Sequence, residues 1–442
     1  MASTLTHSNQ TFEFKSTAKT VLLAGIGLGV LCLLITFFVD DELHTRFWSN
    51  YLHNVAFFTG ISFMSMFILS AFLIAWAGWY TYFKRVWEAK AQFMVVGLAL
   101  MLPLVIGVWG GFHHLYHWAD SGSVATDELL QTKSSFLNPT WYTVASVVLL
   151  GAWYVFARQF RSSSLQEDKD PEGSYRQNKK QTILASIFLP VAGFTSAAVI
   201  WQWIMSIDAH WYSTLFAWYA GASWFVSTMA ITVLLMLYLR GQGYFPKVND
   251  SHMHDLGKYM FAFSVFWTYL WFSQYMLIWY GNVGEETVYF QTRRDEFPAL
   301  FFLNLGINFV LPFLILMPNT TKRKTGTLAL VAGIIIFGHW LDYFLMIKPG
   351  VLHTAHEVLA HSHGAEMAGD ATAHAGDGHG GGAMAGFHYP GLLEIGTMIG
   401  FLSLYLFVFF TNLAKAPLVA KNDPYLVESI THHIEPPYDE AH

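Results

Sequence analysis

The sequence predicts an all-α integral membrane protein of ten transmembrane helices, and three observations carry that prediction. Hydrophobic residues make up 54% of the 442 and charged residues only 12%, with a mean hydropathy of +0.37, where a soluble chain carries roughly a quarter charged. Apolar runs of the length that crosses a hydrocarbon core, about 20 residues, recur through the whole chain. Between them, lysine and arginine concentrate in every second loop, which is the bias that sets membrane orientation.

Taken in order, the runs fall at 18–39, 50–80, 90–117, 140–160, 182–207, 211–239, 256–281, 297–317, 326–347 and 389–413. The first lacks a small-residue cleavage site after it and reads as a retained anchor. With both termini placed inside, 19 of the 24 Lys and Arg fall on the cytoplasmic side. Arg46, Lys133, Arg293, Arg294 and Lys348 fall on the other. A miscounted span would scramble this alternation. The connections follow: a short inner segment over 1–17, an inner polar loop over 162–181, an outer His- and Gly-rich loop over 348–388, and a Pro-containing inner tail over 414–442, expected to lie as an extended strap. Cys32 is the single cysteine, which excludes an intrachain disulfide and any thiolate cluster for zinc or iron–sulfur. The His-rich loop fixes no ligand geometry, so no defined metal site is expected.

Ionisable groups inside a bilayer are costly and mark bundle interiors and proton, ion or substrate paths. Asp208 ends the fifth span and His210 occupies the short turn after it, in "SIDAHWYSTLFAWYAG". His113, with His114 and His117, marks the outer end of the third span. Gln274 lies in the outer half of the seventh, and Asn304 and Asn308 share one face of the eighth. In the ninth, His339 and Asp342 share a face, about 13 Å in from Lys348. Glu394 lies about one turn into the tenth. For each group, interhelical bonding or simple solvation competes with a chemical role. Glu285, Glu286, Arg293 and Arg294 read as a solvated or docking loop, and His252, His254 and Lys258 as a solvated inner helix end.

Several chemistries are disfavoured. No phosphate loop is present, no matched pair of broken helices suggests a transporter, and the histidines do not oppose one another at one depth as a haem b pair must. Quinol oxidation suits the layout: a quinol reaches protein through lipid, and an imidazole with a carboxylate can take its two protons. The electron acceptor would have to come from elsewhere, since this chain binds no redox centre of its own.

The ten-span plan, "SIDAHWYSTLFAWYAG" and "SVFWTYLWFSQYMLIWYGNVGEET" closely resemble the polysulfide-reductase-type, NrfD-like membrane subunits of bacterial alternative complex III, and in particular the second, shorter one. The resemblance implies two four-helix bundles, spans 2–5 and 6–9, with spans 1 and 10 peripheral. It implies a subunit of a respiratory quinol:cytochrome c or quinol:oxidase oxidoreductase in the bacterial inner membrane. Quinol or menaquinol would be the substrate. The partners implied are a related ten-helix subunit, periplasmic iron–sulfur and haem c subunits, a terminal oxidase and lipid, with no nucleic acid. Asp208, His210, Gln274, His339, Asp342, His113 and Glu394 are the positions expected to form a quinone pocket or proton path. A purely structural membrane subunit and an independent ion transporter are the competing readings.

Overall fold

In a computed structural model of the chain, residues 10–362 and 389–434 are described. They are helical, with ten long helices: α1 (Ser16–Val39), α2 (Thr45–Ile74), α3 (Thr81–Gly110), α4 (Pro139–Glu167), α5 (Arg176–Trp203), α6 (Thr214–Gly241), α7 (Asp250–Gly281), α8 (Pro298–Leu316), α9 (Thr325–Ser362) and α10 (Leu392–Leu413). Nine of these, all but α7, are long and apolar enough to cross a membrane. The pattern matches a multi-pass, all-α membrane protein. Most of the His-rich loop, including His363, His374 and His379, lies outside the described residues.

Two boundaries differ from the sequence reading. The second run breaks at Ala75, where Trp76 takes a left-handed φ of 55°, and Thr81 to Lys90 belong to the start of α3. The ninth run does not stop at Lys348. Its helix continues through Pro349 and Gly350 to Ser362, and Lys348 is buried, not a surface marker.

Burial sorts the helices. α2, α6 and α9 are enclosed on most sides, 83%, 78% and 78% of their apolar windows being buried against 17% for α1. α2 packs on α3, α5, α6 and α9, and α6 packs on α7 and α9. α1 pairs along its length with α10, which in turn rests on α2 and α3. That pairing has a clear steric cause. A Cβ on Gly29 would lie 2.5 Å from the Gly400 Cα, and one on Gly25 would strike Ser403. Small residues four apart on both helices let the backbones approach, as between helices in lipid. Gly29→Leu is therefore expected to lower the thermal unfolding midpoint through about 1–3 kcal/mol of overpacking; an unchanged midpoint would show that the two backbones do not meet there.

Every loop placed on the Lys/Arg-rich side gathers at one end of the molecule, here the terminal end. Thr11 bridges to Pro417. Lys84 bonds Glu167 at 2.7 Å and also Asp423, and Arg85 bonds Asp168 at 2.6 Å. His432 meets Asp255, and Arg323 donates to the Ile434 carbonyl. The described part of the tail, 414–434, thus lies over the helix ends, with a short helix at Leu426–Thr431. Residues 40–46, 111–138, 204–213 and 282–297 form the opposite, far end.

Candidate functional site

Asp208, at the far end of α5, is held by Arg293 at 2.9 Å. Arg293 belongs to a helix over Gly284–Asp295 whose Tyr289, Phe290 and Arg293 form the buried face. It is 3% exposed, which corrects its reading as a solvated loop residue. The reason lies in α9. Pro349 has no N–H, so the Leu345 carbonyl one turn earlier lacks its helical donor; Arg293 Nε supplies it at 2.9 Å, and Nη2 donates to Met346 at 3.1 Å. The guanidinium also lies 3.4 Å over the Tyr289 ring, which stacks on Trp211. A Cβ on Gly350 would meet the Asp208 carboxylate at 2.8 Å, so glycine after Pro349 admits that group against the helix.

One cavity of about 360 Å³ opens here, lined by Asp208, His210, His117, Tyr289, Gly350 and His353 among others. A second, of about 20 Å³, lies behind it and is lined by Tyr289 and Arg293 together with Gln274, Tyr219 and Asn304. Tyr289 forms part of both walls. A space of that size holds about one water, provided polar partners are present, and here Gln274, Tyr219, Asn304 and Arg293 are such partners. Gln274 also accepts from Ser213 at 3.0 Å.

Tyr219 and Asn304 connect the small cavity to Asp342. That carboxylate, wholly enclosed, accepts from the Tyr219 hydroxyl, from Asn304 Nδ2 at 2.8 Å and from Trp267 Nε1 at 2.9 Å. Asn308 continues the chain by donating to Asn304 Oδ1 at 2.6 Å. His339 lies 3.9 Å from Asp342 and shares a hydrogen bond with Ser223 Oγ at 2.9 Å. Its Nε2 is buried with no hydrogen-bond partner among the described residues. Further along α6, Ser227 lies one turn from Ser223 on the same face, while Thr228 and Thr232 lie one turn apart on a neighbouring face, about 100° round the helix from Ser227. Lys90, fully buried, donates to Thr232 Oγ1 and, at 3.4 Å, to the Thr228 carbonyl. The sequence reading left Lys90 at the surface.

Outside the helices, the Asp127 carboxyl is pulled two ways. Burial pushes it up, but the His210 ring and the backbone N–H groups of Leu130 and Leu129 outweigh that and hold it below the usual carboxylate range. His210 Nε2 meets Asp127 Oδ2 at 2.5 Å.

Two expected members do not join this site. His113 is buried, and its Nε2 donates to the Leu104 carbonyl at 3.0 Å while its ring packs on Trp48. α3 ends at Gly110, with Gly111 left-handed at φ 65°, so the ring folds back over its own helix. Glu394 makes a bidentate pair with Arg46 at 2.6 and 2.8 Å, accepts from Asn50 at 3.0 Å and caps α10 through the Gly391 N–H. Lys348 reaches the same cluster through Asn50 at 2.5 Å and Ser49 at 2.6 Å. Neither His113 nor Glu394 lines the two cavities. Both are better accounted for as structural groups.

Sequence reasoning missed Arg293, Tyr219, Ser223, Lys90 and Lys348. The spacing of Tyr289, Phe290 and Arg293 was a usable signal for the first; the others are polar or basic residues whose partners come from distant helices. Searches against known protein families and against curated proteins give no match to this chain.

Proposed function

We propose that this chain is a ten-span membrane subunit of a respiratory quinol oxidoreductase and that it carries a proton path opening at the far end. The motifs resembling the membrane subunits of alternative complex III support the class of complex. The observation that carries the path is the enclosure of Asp342 beside His339, joined through Tyr219 and Asn304 to a one-water cavity and from there to Arg293 and Asp208.

α7 counts as the tenth span on this reading. Its hydropathy is lowered by aromatic residues, yet its outward face exposes Tyr269, Phe272, Leu277 and Trp279, a surface suited to lipid and its interface. Helices α2–α5 and α6–α9 would form two four-helix bundles, with α1 and α10 at the periphery. The Lys/Arg bias makes the terminal end cytoplasmic, so the cavity at Asp208 faces the periplasm.

Oxidation of a quinol releases two protons and two electrons. The electrons would pass to iron–sulfur and haem c centres of partner subunits. This chain's part would be the protons. A cavity of about 20 Å³ is far below the several hundred Å³ of a small-molecule pocket, so the geometry favours conduction over ring binding at Asp342. Asp342 would exchange protons with His339, 3.9 Å away, on one side and, through the Tyr219 hydroxyl and a water in the small cavity, with the far end on the other, where Asp208 and His210 would form the exit.

In the assembled complex, Asp208→Asn and His339→Ala are expected to lower quinol-dependent turnover, or protons released per electron, about tenfold while subunit content stays unchanged. Turnover and proton yield equal to those of the unaltered complex in both variants would favour the purely structural reading instead.

A further inference from the structure

We propose that His117, Asp127 and His210 form a binding site for one divalent transition cation of the zinc type, placed at the far-end mouth of the larger cavity. The inference stands on these three side chains and does not depend on the respiratory reading.

One ligand atom from each residue lies within 4.8 Å of the others. Three separate elements deliver them. His117 starts a single helical turn after α3, Asp127 caps the short helix Glu128–Lys133, and His210 occupies the bend between α5 and α6. Asp127 is oriented by its own backbone surroundings. Its Oδ1 accepts from the Leu129 N–H at 2.8 Å and the Leu130 N–H at 3.2 Å, which presents Oδ2 to His210. Outer bonds of this kind fix a metal ligand's direction. Lys133, on the same short helix, donates to the Ala209 carbonyl at 2.7 Å and the His210 carbonyl at 3.3 Å, which ties the two loops together before any ion binds.

Exposure grades across the cluster. His117 is 7% exposed, whereas the side chains of Asp127 and His210 are 23% and 47% exposed. One ligand is therefore anchored and two can adjust, with a fourth position open to water, the pattern of a three-ligand zinc site. Two imidazoles and one carboxylate suit zinc, nickel or copper, not calcium or magnesium, which take oxygen ligands. With metal–ligand bonds of about 2.0 Å, tetrahedral ligand atoms lie roughly 3.3 Å apart. The widest separation must shrink by about 1.5 Å, within reach of rotation of the exposed His210 ring. The competing reading is a plain His210–Asp127 ion pair; beside that pair, the His117 ring centroid lies 5.5 Å from that of His210, which brings a third ligand atom within reach of the same ion.

The test uses the full-length chain in detergent with His361, His363, His374 and His379 replaced by Asn, so that the outer loop contributes no zinc ligands from those positions. Zinc alone is titrated by calorimetry. One equivalent is expected to bind, and His210→Asn or Asp127→Asn should each weaken that binding tenfold or more. As a second measurement, zinc should raise the thermal unfolding midpoint of the loop-substituted chain and leave that of its His210→Asn derivative unchanged. No equivalent bound by the loop-substituted chain, or affinity unaltered by both substitutions, overturns the assignment.

Discussion

Arg293→Met is expected to destabilise the protein by about 3–5 kcal/mol, because it breaks a buried ion pair from one side only. The apolar stem is retained, so the loss is that of the guanidinium, its charge and hydrogen bonds together with its stacking on Tyr289. Asp208 loses its partner at 2.9 Å. The Leu345 carbonyl loses the donor that stands in for the missing Pro349 N–H, and the carbonyls of Met346 and Tyr289 each lose a further donor. Each acceptor left unmet costs about 1–3 kcal/mol when buried, and these terms overlap, because one guanidinium serves them all. Pro349→Ala in the Arg293→Met background is the informative second variant. It restores an N–H for Leu345 and should recover about 1 kcal/mol or more. Thermal unfolding midpoints of the three proteins in one detergent decide the matter. If Arg293→Met unfolds at the unaltered midpoint, the guanidinium does not hold α9 at the proline.

The same residue shows where a sequence reading runs out. The apolar runs and the pairings of His339 with Asp342 and Asn304 with Asn308 were legible because each depends on spacing within one helix, and the alternation of Lys and Arg because it runs from loop to loop along the chain. Arg293 looked like loop charge because its acceptors lie on α9 and in the bend after α5, far away in sequence. Lys348 and Lys90 looked like surface residues for a related reason. A long cationic side chain beside an apolar run usually reaches water, whereas here Asn50 and Ser49 receive one head group and Thr232 the other. The "KPG" at Lys348 to Gly350 is an ordinary helix stop, yet α9 continues because Arg293 satisfies the freed carbonyl. His113 and Glu394 were rightly read as polar groups at helix ends. Depth alone, however, did not tell which polar groups share a cavity.

Asp342 provides the sharper test of how stability and function divide. Asp342→Ala is expected to cost about 3–5 kcal/mol, since it strands three buried donors at once, each worth about 1–3 kcal/mol when unmet: the Tyr219 hydroxyl, the Trp267 indole N–H and the Asn304 amide. Asp342→Asn keeps the volume and one acceptor oxygen. That oxygen can still receive Tyr219 and Asn304, but the new amide then faces the Trp267 N–H, donor against donor. A smaller cost follows, about 1–3 kcal/mol. The stability order should therefore be unaltered, then Asn, then Ala, as read by unfolding midpoints. Function need not follow that order. A side chain that only joins helices should lose activity in step with stability, so the Asn variant would retain most of its turnover when assembled. A side chain that carries a proton should lose nearly all turnover in the Asn variant despite its milder destabilisation, because an amide offers no titratable oxygen between Tyr219 and His339. Near-full turnover in an assembled Asp342→Asn complex would remove Asp342 from the path and leave the buried network as a structural joint between α6, α7, α8 and α9.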